Sequence, residues 1–312
     1  MYHNNSNTDG SYWTSKYPFF RAAARGTGAT TRCSIVVQAH ATFAHPVLNA
    51  VRRVVKRGLH GLSINAVASH SDEETLELIE KLRHQSDVFA LLARNTERVK
   101  EALLELRSAR LPVVALISDL DANVRSAYVG SDNHAAGQLA GFIFGRSLER
   151  ELGAQVAIVT GKLAYQCWED RKIGFRSLLR QRFPQISIVE VVMENDSPEA
   201  TFEAALGVLK NGHALGGIYN LVGESLGLAQ AIKEVRPSRR PLYITHELDE
   251  VAEPLLRAEI IDFLITQNLE AIVNAVKRFA VGLRTGTHQC EELNLVPIEL
   301  VSKFNLQPRA VV

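Results

Sequence analysis

The chain of 312 residues has few cysteines and no long hydrophobic run. Its three cysteines, Cys33, Cys167 and Cys290, are odd in number and far apart, which argues against a disulfide framework or a cysteine-based zinc site and fits a reducing compartment. No run of about twenty apolar residues could span a membrane. The segment Met1–Tyr17 also lacks the charged start, apolar stretch and cleavage site of a secretory signal. We therefore expect a cytoplasmic protein with no membrane partner.

An excess of charge of one sign is missing too. Lys and Arg number 35 against 34 for Asp and Glu, so no bulk basicity indicates nucleic-acid binding. Neither a phosphate-binding Gly-x-x-x-x-Gly-Lys-Ser/Thr loop nor a His-Glu-x-x-His zinc motif occurs, and the histidines have no metal-ligand spacing. Gly26-Thr-Gly-Ala lies before a strand instead of after one, so it is not a dinucleotide fingerprint. The sequence predicts neither a cofactor nor a metal ion.

From Cys33 onward, strand-like segments alternate with amphipathic stretches that have helical spacing, such as Asp72–Arg83. Apolar strands such as Val113–Ile117 favour burial on both faces of a parallel sheet, and strict alternation predicts a doubly wound α/β fold. Ten strands would make a large single sheet, and the pattern can also be divided near Gly153 into two smaller sheets that face a cleft. The strand candidates are Ser34–Ala39, Leu62–Val67, Val88–Leu92, Val113–Ile117, Ala127–Gly130, Gln155–Thr160, Ile186–Val192, Gly217–Asn220, Leu242–Thr245 and Phe263–Thr266.

The most informative stretch follows the fifth strand candidate. There the short run Ala127–Gly130 places Asp132 and Asn133 on the first turn of a long helix. A carboxylate at this position can cap free backbone N–H groups and still face the region beyond the strand end. In open α/β sheets this edge is where ligands bind.

The segment Val129-Gly-Ser-Asp-Asn-His-Ala-Ala-Gly resembles the Val-Gly-x-Asp-Asn-x-x-Ala-Gly motif of LacI-type transcriptional regulators. Four further motifs resemble that family in order: Arg171-Lys-Ile-Gly-Phe, Gly217-Ile-Tyr-Asn, Thr245-His-Glu-Leu and Thr266-Gln-Asn-Leu-Glu. The likeness runs from about Ser34 to Leu306. It covers the sensor domain, whose fold the family shares with periplasmic sugar-binding proteins.

The resemblance implies two doubly wound parallel-sheet lobes around a ligand cleft, with three chain crossings between them. We expect a disordered leader or hinge remnant over residues 1–32, a first lobe from 33–151 plus 268–288, and a second lobe from 152–267 plus 289–312. In this arrangement the helix Ile272–Leu283 returns to the first lobe and the last strand, Leu295–Val301, joins the second. The hinge is expected near Gly153, Gln267 and Thr285.

The family's N-terminal helix-turn-helix has no counterpart here. A helix-turn-helix needs an apolar contact between its two helices, and Met1–Phe20 offers only scattered aromatic residues. The DNA-binding module is therefore expected to be absent or truncated. Operator DNA is an expected partner only if such a module is supplied upstream, and a homodimer is implied by the resemblance alone.

Candidate ligand-binding residues are polar or aromatic side chains at strand ends and helix starts. Each hydroxyl of a sugar or polyol both donates and accepts a hydrogen bond, so paired donors and acceptors suit it, and charged groups bond more strongly. Simpler roles compete: Asp132 would cap a helix, Asn220 would stabilise a turn, Phe43 would join the core and Trp168 would pack between lobes. The predicted set is Gln38, Phe43, Asp119, Asp132, Trp168, Arg171, Asn220, Glu247 and Gln267.

These observations predict the sugar-binding or polyol-binding effector domain of a LacI-type regulator, and not an enzyme. One alternative is the solute-binding protein of a sugar transporter. A less favoured alternative is a serine hydrolase, because Gly223-Glu-Ser-Leu-Gly matches a nucleophile elbow with Ser225 at its centre. Asp249 or Asp262 and His288 would then complete a triad, but no His-Gly-Gly-Gly oxyanion loop lies upstream.

Overall fold

Two six-stranded sheets form the centre of the protein in a computed structural model that describes residues 30–162, 165–193, 195, 197–210, 215–285 and 293–306. In spatial order, the first sheet contains β2 (Leu62–Ser69), β1 (Thr31–Gln38), β3 (Val88–Leu92), β4 (Val113–Leu116), β5 (Ala127–Gly130) and β11 (Leu293–Leu295). The second contains β7 (Ser187–Met193), β6 (Gln155–Gly161), β8 (Leu215–Asn220), β9 (Leu242–His246), β10 (Phe263–Gln267) and β12 (Ile298–Val301). The prediction of two doubly wound lobes is confirmed.

All neighbouring strands pair in parallel except β10 and β12. Parallel pairing explains the continuous apolar runs, because helices cover both faces of each sheet. The helices are α1 (Ala41–Lys56), α2 (Asp72–Leu82), α3 (Glu97–Ser108), α4 (Asn133–Leu148), α5 (Gln166–Arg182), α6 (Pro198–Lys210), α7 (Leu226–Val235), α8 (Ala252–Arg257) and α9 (Leu269–Thr285). Of the helices described, none is long and apolar enough to cross a membrane.

Helix α4 packs on the second sheet although β5, the strand before it, belongs to the first. Its buried residues, among them Ala140 and Phe144, share a core with Ile158 of β6 and Tyr219 of β8. The boundary predicted after residue 151, with a hinge near Gly153, is therefore corrected. The chain first crosses between the lobes at Ser131, about a whole helix earlier, because α4 buries its apolar face against the second lobe.

Of the other two crossings, one follows Gln267 and the other lies at Pro297, between β11 and β12. Helix α9 returns to the first lobe as predicted, where Val276 and Phe279 join its core. The single strand predicted over Leu295–Val301 is wrong: β11 pairs in parallel with β5 of the first sheet, and β12 pairs antiparallel with β10 of the second. The intervening Pro297 has no N–H with which to continue a strand ladder.

Ser131 holds the three crossing segments together. Its backbone N–H donates to Oε1 of Gln267 at 3.2 Å, and its hydroxyl donates to the carbonyl oxygen of Val296 at 2.9 Å. The N–H of Val296 in turn donates to the carbonyl of Gly130 at 2.8 Å. These bonds make the neighbourhood of Ser131 the junction between the lobes.

Helices α4 and α5 approach each other at backbone distance because glycines line their interface. A Cβ on Gly137 would overlap the carbonyl oxygen of Arg171, and one on Gly174 would overlap the carbonyl oxygen of His134. Both steric clashes would involve backbone atoms, which cannot move aside as a flexible side chain can. The glycines therefore fix how closely the N-terminal half of α5 lies to the start of α4.

Replacing Gly137 by alanine should lower the free energy of unfolding by roughly 1–3 kcal/mol, the usual cost of overpacking. Gly207 in α6 offers a matched control, because it is exposed and a Cβ there meets nothing within 4 Å. Gly207→Ala should instead raise stability by about 0.5–1 kcal/mol through helix propensity. Chemical denaturation of both variants measures the difference, and equal effects would contradict the close-packing account.

Candidate functional site

A cleft of about 640 Å³, part of it open to solvent, lies between the lobes where the parallel strands end. Residues at or just after the ends of β1, β3 and β4 form one wall, and residues that follow β6, β8 and β9 form the other. This is the edge at which α/β sheets bind ligands. The lining residues are Ala39, His40, Thr42, Phe43, Leu92, Ile117, Tyr165, Cys167, Trp168, Arg171, Val222, Gly223, Glu224, Glu247 and Asp249.

Arg171 is a buried cation at the floor of the cleft, with only 3% of its surface exposed. Its Nε donates to Oδ1 of Asn133 at 2.9 Å, its Nη1 donates to the carbonyl of Leu221 at 3.1 Å, and its Nη2 donates to Oε1 of Glu247 at 2.8 Å. Burial opposes the guanidinium charge, but its neighbours, Glu247 among them, keep the pKa of Arg171 above its ordinary value. Arg171 thus joins α4 to the ends of two strands.

His246, next to this network, is held neutral. Its Nε2 lies 2.8 Å from the hydroxyl of Tyr219. Burial, and then the nearby charge of Arg171, lower the pKa of His246 well below its usual value. The imidazole therefore adds no second positive charge beneath the cleft.

Two lining residues have left-handed backbones that no helix end explains. Ile117 and Glu247 both have φ of 65°. Three other non-glycine residues with positive φ, Arg110, Arg236 and Glu259, lie just after helices, where such a conformation ends a helix. A β-branched residue at positive φ is strained, and such strain clusters at binding sites. Here it turns Ile117 and Glu247 into the cleft wall at the ends of β4 and β9.

Aromatic side chains line the cleft from both lobes. Phe43 comes from α1, and Tyr165 and Trp168 come from the first turn of α5, with their ring centroids 4.9 Å apart. The hydroxyl of Tyr165 donates to the carbonyl of Gln38 across the cleft at 2.8 Å, and the N–H of Cys167 donates to Oγ of Ser118 at 3.2 Å. The first turn of α5 therefore contacts the opposite lobe directly.

Two further carboxylates line the second-lobe wall. Glu224 accepts from the N–H of Leu226 at 2.7 Å at the start of α7, and Asp249 accepts from the N–H of Ala252 at 2.7 Å at the start of α8. Burial raises the pKa of both carboxyl groups, and hydrogen bonds partly offset the increase, from Thr201 and then Leu226 for Glu224 and from Ala252 for Asp249. Both carboxylates are half-buried and face the same cleft as Glu247.

Four of the nine predicted site residues line the cleft: Phe43, Trp168, Arg171 and Glu247. The structure brings them together from three separate elements: Phe43 from α1, Trp168 and Arg171 from α5, and Glu247 from the end of β9. Their contact with a ligand stays a prediction. Trp168 also packs into the first-lobe core, as its simpler interpretation had it.

The other five have partners within the protein and are not among the described lining residues. Gln38 is buried and donates to Asp72 at 2.7 Å, while exposed Asp132 caps α4 by accepting from the N–H of Ala135 at 2.9 Å. Asp119 forms a two-point ion pair with Arg125, at 2.5 and 3.0 Å.

Asn220 and Gln267 complete that group. The amide of Asn220 donates to the carbonyl of Glu224 at 2.6 Å and accepts from the N–H of Val222 at 3.1 Å, which stabilises a turn. Gln267 links Ser131 to Glu247 and so belongs to the lobe junction. A direct ligand contact by any of these five residues remains a prediction.

Sequence reasoning missed Tyr165, Glu224 and Asp249. Tyr165 precedes the helix that contains the predicted residue Trp168, and no motif in the sequence marks Tyr165 itself. Glu224 and Asp249 were considered only in connection with a nucleophile elbow and a triad. All three follow a strand end, so applying the strand-end rule to every strand would have found them.

Ser225, the candidate nucleophile, is buried and its hydroxyl bonds to the backbone. Ser225 is 2% exposed, and its hydroxyl donates to the carbonyl of Gly223 at 3.2 Å. His288, the proposed triad base, lies outside the described residues, as do most of the N-terminal leader and Cys290. Within the ranges described, no group of three or more His, Cys, Asp or Glu residues is arranged to hold a metal ion.

Comparisons with known proteins agree with this geometry. A family model described as a periplasmic binding protein domain matches residues 34–287. No curated protein matches the sequence significantly. Among solved structures, GanP, a glucose-galactose binding protein from Geobacillus stearothermophilus, is 20% identical with a TM-score of 0.78, over 88% of this chain and 99% of that one.

Two further solved structures are similar. A putative LacI transcriptional regulator from Bacteroides fragilis is 16% identical with a TM-score of 0.76, over 88% of this chain and 98% of that one. A transporter solute-binding protein from Agrobacterium vitis, bound to α-D-tagatopyranose, is 16% identical with a TM-score of 0.79, over 90% and 98%. Identities this low establish the shared fold alone.

Proposed function

Because this chain belongs to the periplasmic binding protein domain family, we propose that it binds a sugar or similar hydroxylated metabolite in the cleft between its lobes. The observation that best supports this proposal is the buried Arg171–Glu247 pair at the floor of a cleft lined by three aromatic side chains. Carboxylates accept from sugar hydroxyls and a guanidinium donates to them, while aromatic faces cover the apolar C–H surface of the ring. The names of the structural neighbours support the same class of ligand.

Ligand binding would act on the contacts between the lobes. A ligand that bridges the Phe43 wall and the Glu247 wall favours the closed arrangement, which Tyr165 and Cys167 also stabilise by their bonds across the cleft. A ligand shifts such an equilibrium only through its different affinities for the open and closed states. The junction around Ser131 would serve as the pivot.

A thermal-shift screen over monosaccharides, amino sugars, sugar alcohols and nucleosides tests the proposal, because a ligand selective for the native state raises its melting temperature. Phe43→Ala should lower the affinity for the best ligand by roughly threefold to tenfold, as expected for an aromatic contact of about 0.5–1.5 kcal/mol. Phe142→Ala removes an exposed phenylalanine of α4 outside the cleft lining and should leave affinity unchanged. No stabilisation by any compound, or equal effects of the two substitutions, would contradict the proposal.

Two biological roles fit such a site. As a LacI-type regulator, the protein would be a cytoplasmic homodimer that binds operator DNA through a helix-turn-helix. As a transport protein, it would be exported and would deliver its ligand to a membrane partner. The structural neighbours support the transport role at least as well, since they include sugar-transport binding proteins as well as a putative LacI regulator.

Fractionation of the native host separates these roles. If the protein serves transport, the role that the structural neighbours favour, it should be exported. Its mass by light scattering should then be that of one chain. Recovery in the cytoplasm with the mass of two chains would contradict transport and favour the regulator. Both measurements are independent of the ligand's identity.

A further inference from the structure

The charges that line the cleft are unbalanced. Glu224, Glu247 and Asp249 all come from the second-lobe wall, and Arg171 is the one lysine or arginine among the described lining residues. Arg171 already donates to Glu247 at 2.8 Å. Two half-buried carboxylates, Glu224 and Asp249, therefore face the cleft without a lysine or arginine opposite them among the described lining residues.

Asp249 has an unused acceptor. Its Oδ1 takes both helix-capping bonds, from the N–H groups of Val251 at 2.9 Å and Ala252 at 2.7 Å. Over the described ranges, no hydrogen bond is found to Oδ2. An acceptor that is partly removed from water and still ionised makes its strongest bond to a cationic donor. Capping thus uses one oxygen of Asp249 and leaves the other for a ligand.

The opposite wall supplies no lysine or arginine among its described lining residues, and His40 is its one ionisable side chain, whose charge acts on Glu224 but is not among the causes that shift the pKa of Asp249. This wall consists of apolar residues, Thr42, and His40, whose Nδ1 is 3.1 Å from Oγ1 of Thr42. Arg94 lies nearby but outside the lining. Its Nη1 is 3.5 Å from Oδ1 of Asp72, and its guanidinium carbon is 5.9 Å from the ring centroid of Tyr165. Arg94 is therefore paired with Asp72 and is not among the residues that line the cleft.

Aromatic rings strengthen the preference for a cation. The faces of Phe43 and Trp168 carry negative partial charge, which attracts an ammonium group within about 6 Å. Such attraction grows where water is excluded, and both rings line the cleft. A neutral hydroxyl gains nothing comparable from these faces.

We propose that the cleft selects a hydroxylated ligand carrying a protonated amine, such as an amino sugar, over the neutral sugar of the same shape. The amine lies against Asp249 and Glu224, and the hydroxyl groups take the Arg171–Glu247 floor. This inference rests on the proposed function, since it names the ligand class of the same site. It assigns charge selection to two residues whose other task is to cap helices.

Isothermal titration with three matched pairs tests the inference: D-glucosamine against D-glucose, D-galactosamine against D-galactose, and D-mannosamine against D-mannose. Each pair exchanges one ring hydroxyl for an ammonium group, and the three pairs cover different stereochemistry. In at least one pair the amine should bind about tenfold more tightly at neutral pH, equivalent to about 1.4 kcal/mol. Added salt should reduce this advantage.

Asp249→Asn provides the residue-level test, because asparagine keeps the shape and the capping oxygen but removes the charge. It should reduce the amine-to-sugar affinity ratio by at least about threefold. Glu250→Gln removes the same charge from an exposed neighbour outside the lining and should leave the ratio unchanged.

The outcomes separate the inference from the proposed function. Equal or tighter binding of the neutral sugar in every pair overturns amine selection and leaves sugar binding intact. An equal drop in the ratio for Asp249→Asn and Glu250→Gln overturns the assignment to Asp249. Failure of every compound in the pairs and in the wider screen overturns the proposed function itself.

Discussion

The buried guanidinium of Arg171 is the constraint on which the cleft depends. Its three bonds reach the start of α4, the residue after β8 and the residue after β9. A buried cation that loses its partners costs several kcal/mol, so these three elements must keep their relative positions. The close approach of α4 and α5 across Gly137 places Arg171 where all three bonds can form.

This network also reaches the first lobe. Asn133 accepts from Arg171 and donates to the carbonyl of Ile117, a residue held at positive φ in the opposite wall. Strain of that kind costs on the order of 1–3 kcal/mol and persists only where the surroundings fix the conformation. Glu247, the second strained residue, is fixed by Arg171 itself. The two walls of the cleft thus share one connected set of polar bonds.

Much of the fold could be predicted from the sequence, because apolar runs and helical spacing state directly which segments are strands and which are helices. The strands Val88–Leu92 and Ala127–Gly130 begin and end at the residues predicted for them. The crossing point at Ser131 could not be predicted in the same way. The apolar face of α4 shows that the helix packs on a sheet, but nothing in its periodicity says on which of the two.

The candidate site shows a similar division. Arg171 and Glu247 could be predicted because they lie in motifs that resemble those of a known family, Arg171 near the start of a helix and Glu247 at the end of a strand. Glu224 and Asp249 have the local pattern of helix caps, and only the fold shows that they also face a cavity. Gln267 was predicted both as a ligand contact and as a residue near the hinge, and the structure places its side chain at the lobe junction.

A double-mutant cycle on the free energy of unfolding tests the central claim most directly, using Arg171→Met, Glu247→Gln and the double variant. Because each single change leaves a buried polar partner unsatisfied, we expect the double variant to lose less stability than the sum of the two, with a coupling of roughly 1–3 kcal/mol. Additive losses within about 0.3–0.5 kcal/mol would show that the two residues act independently and would contradict this account of the cleft.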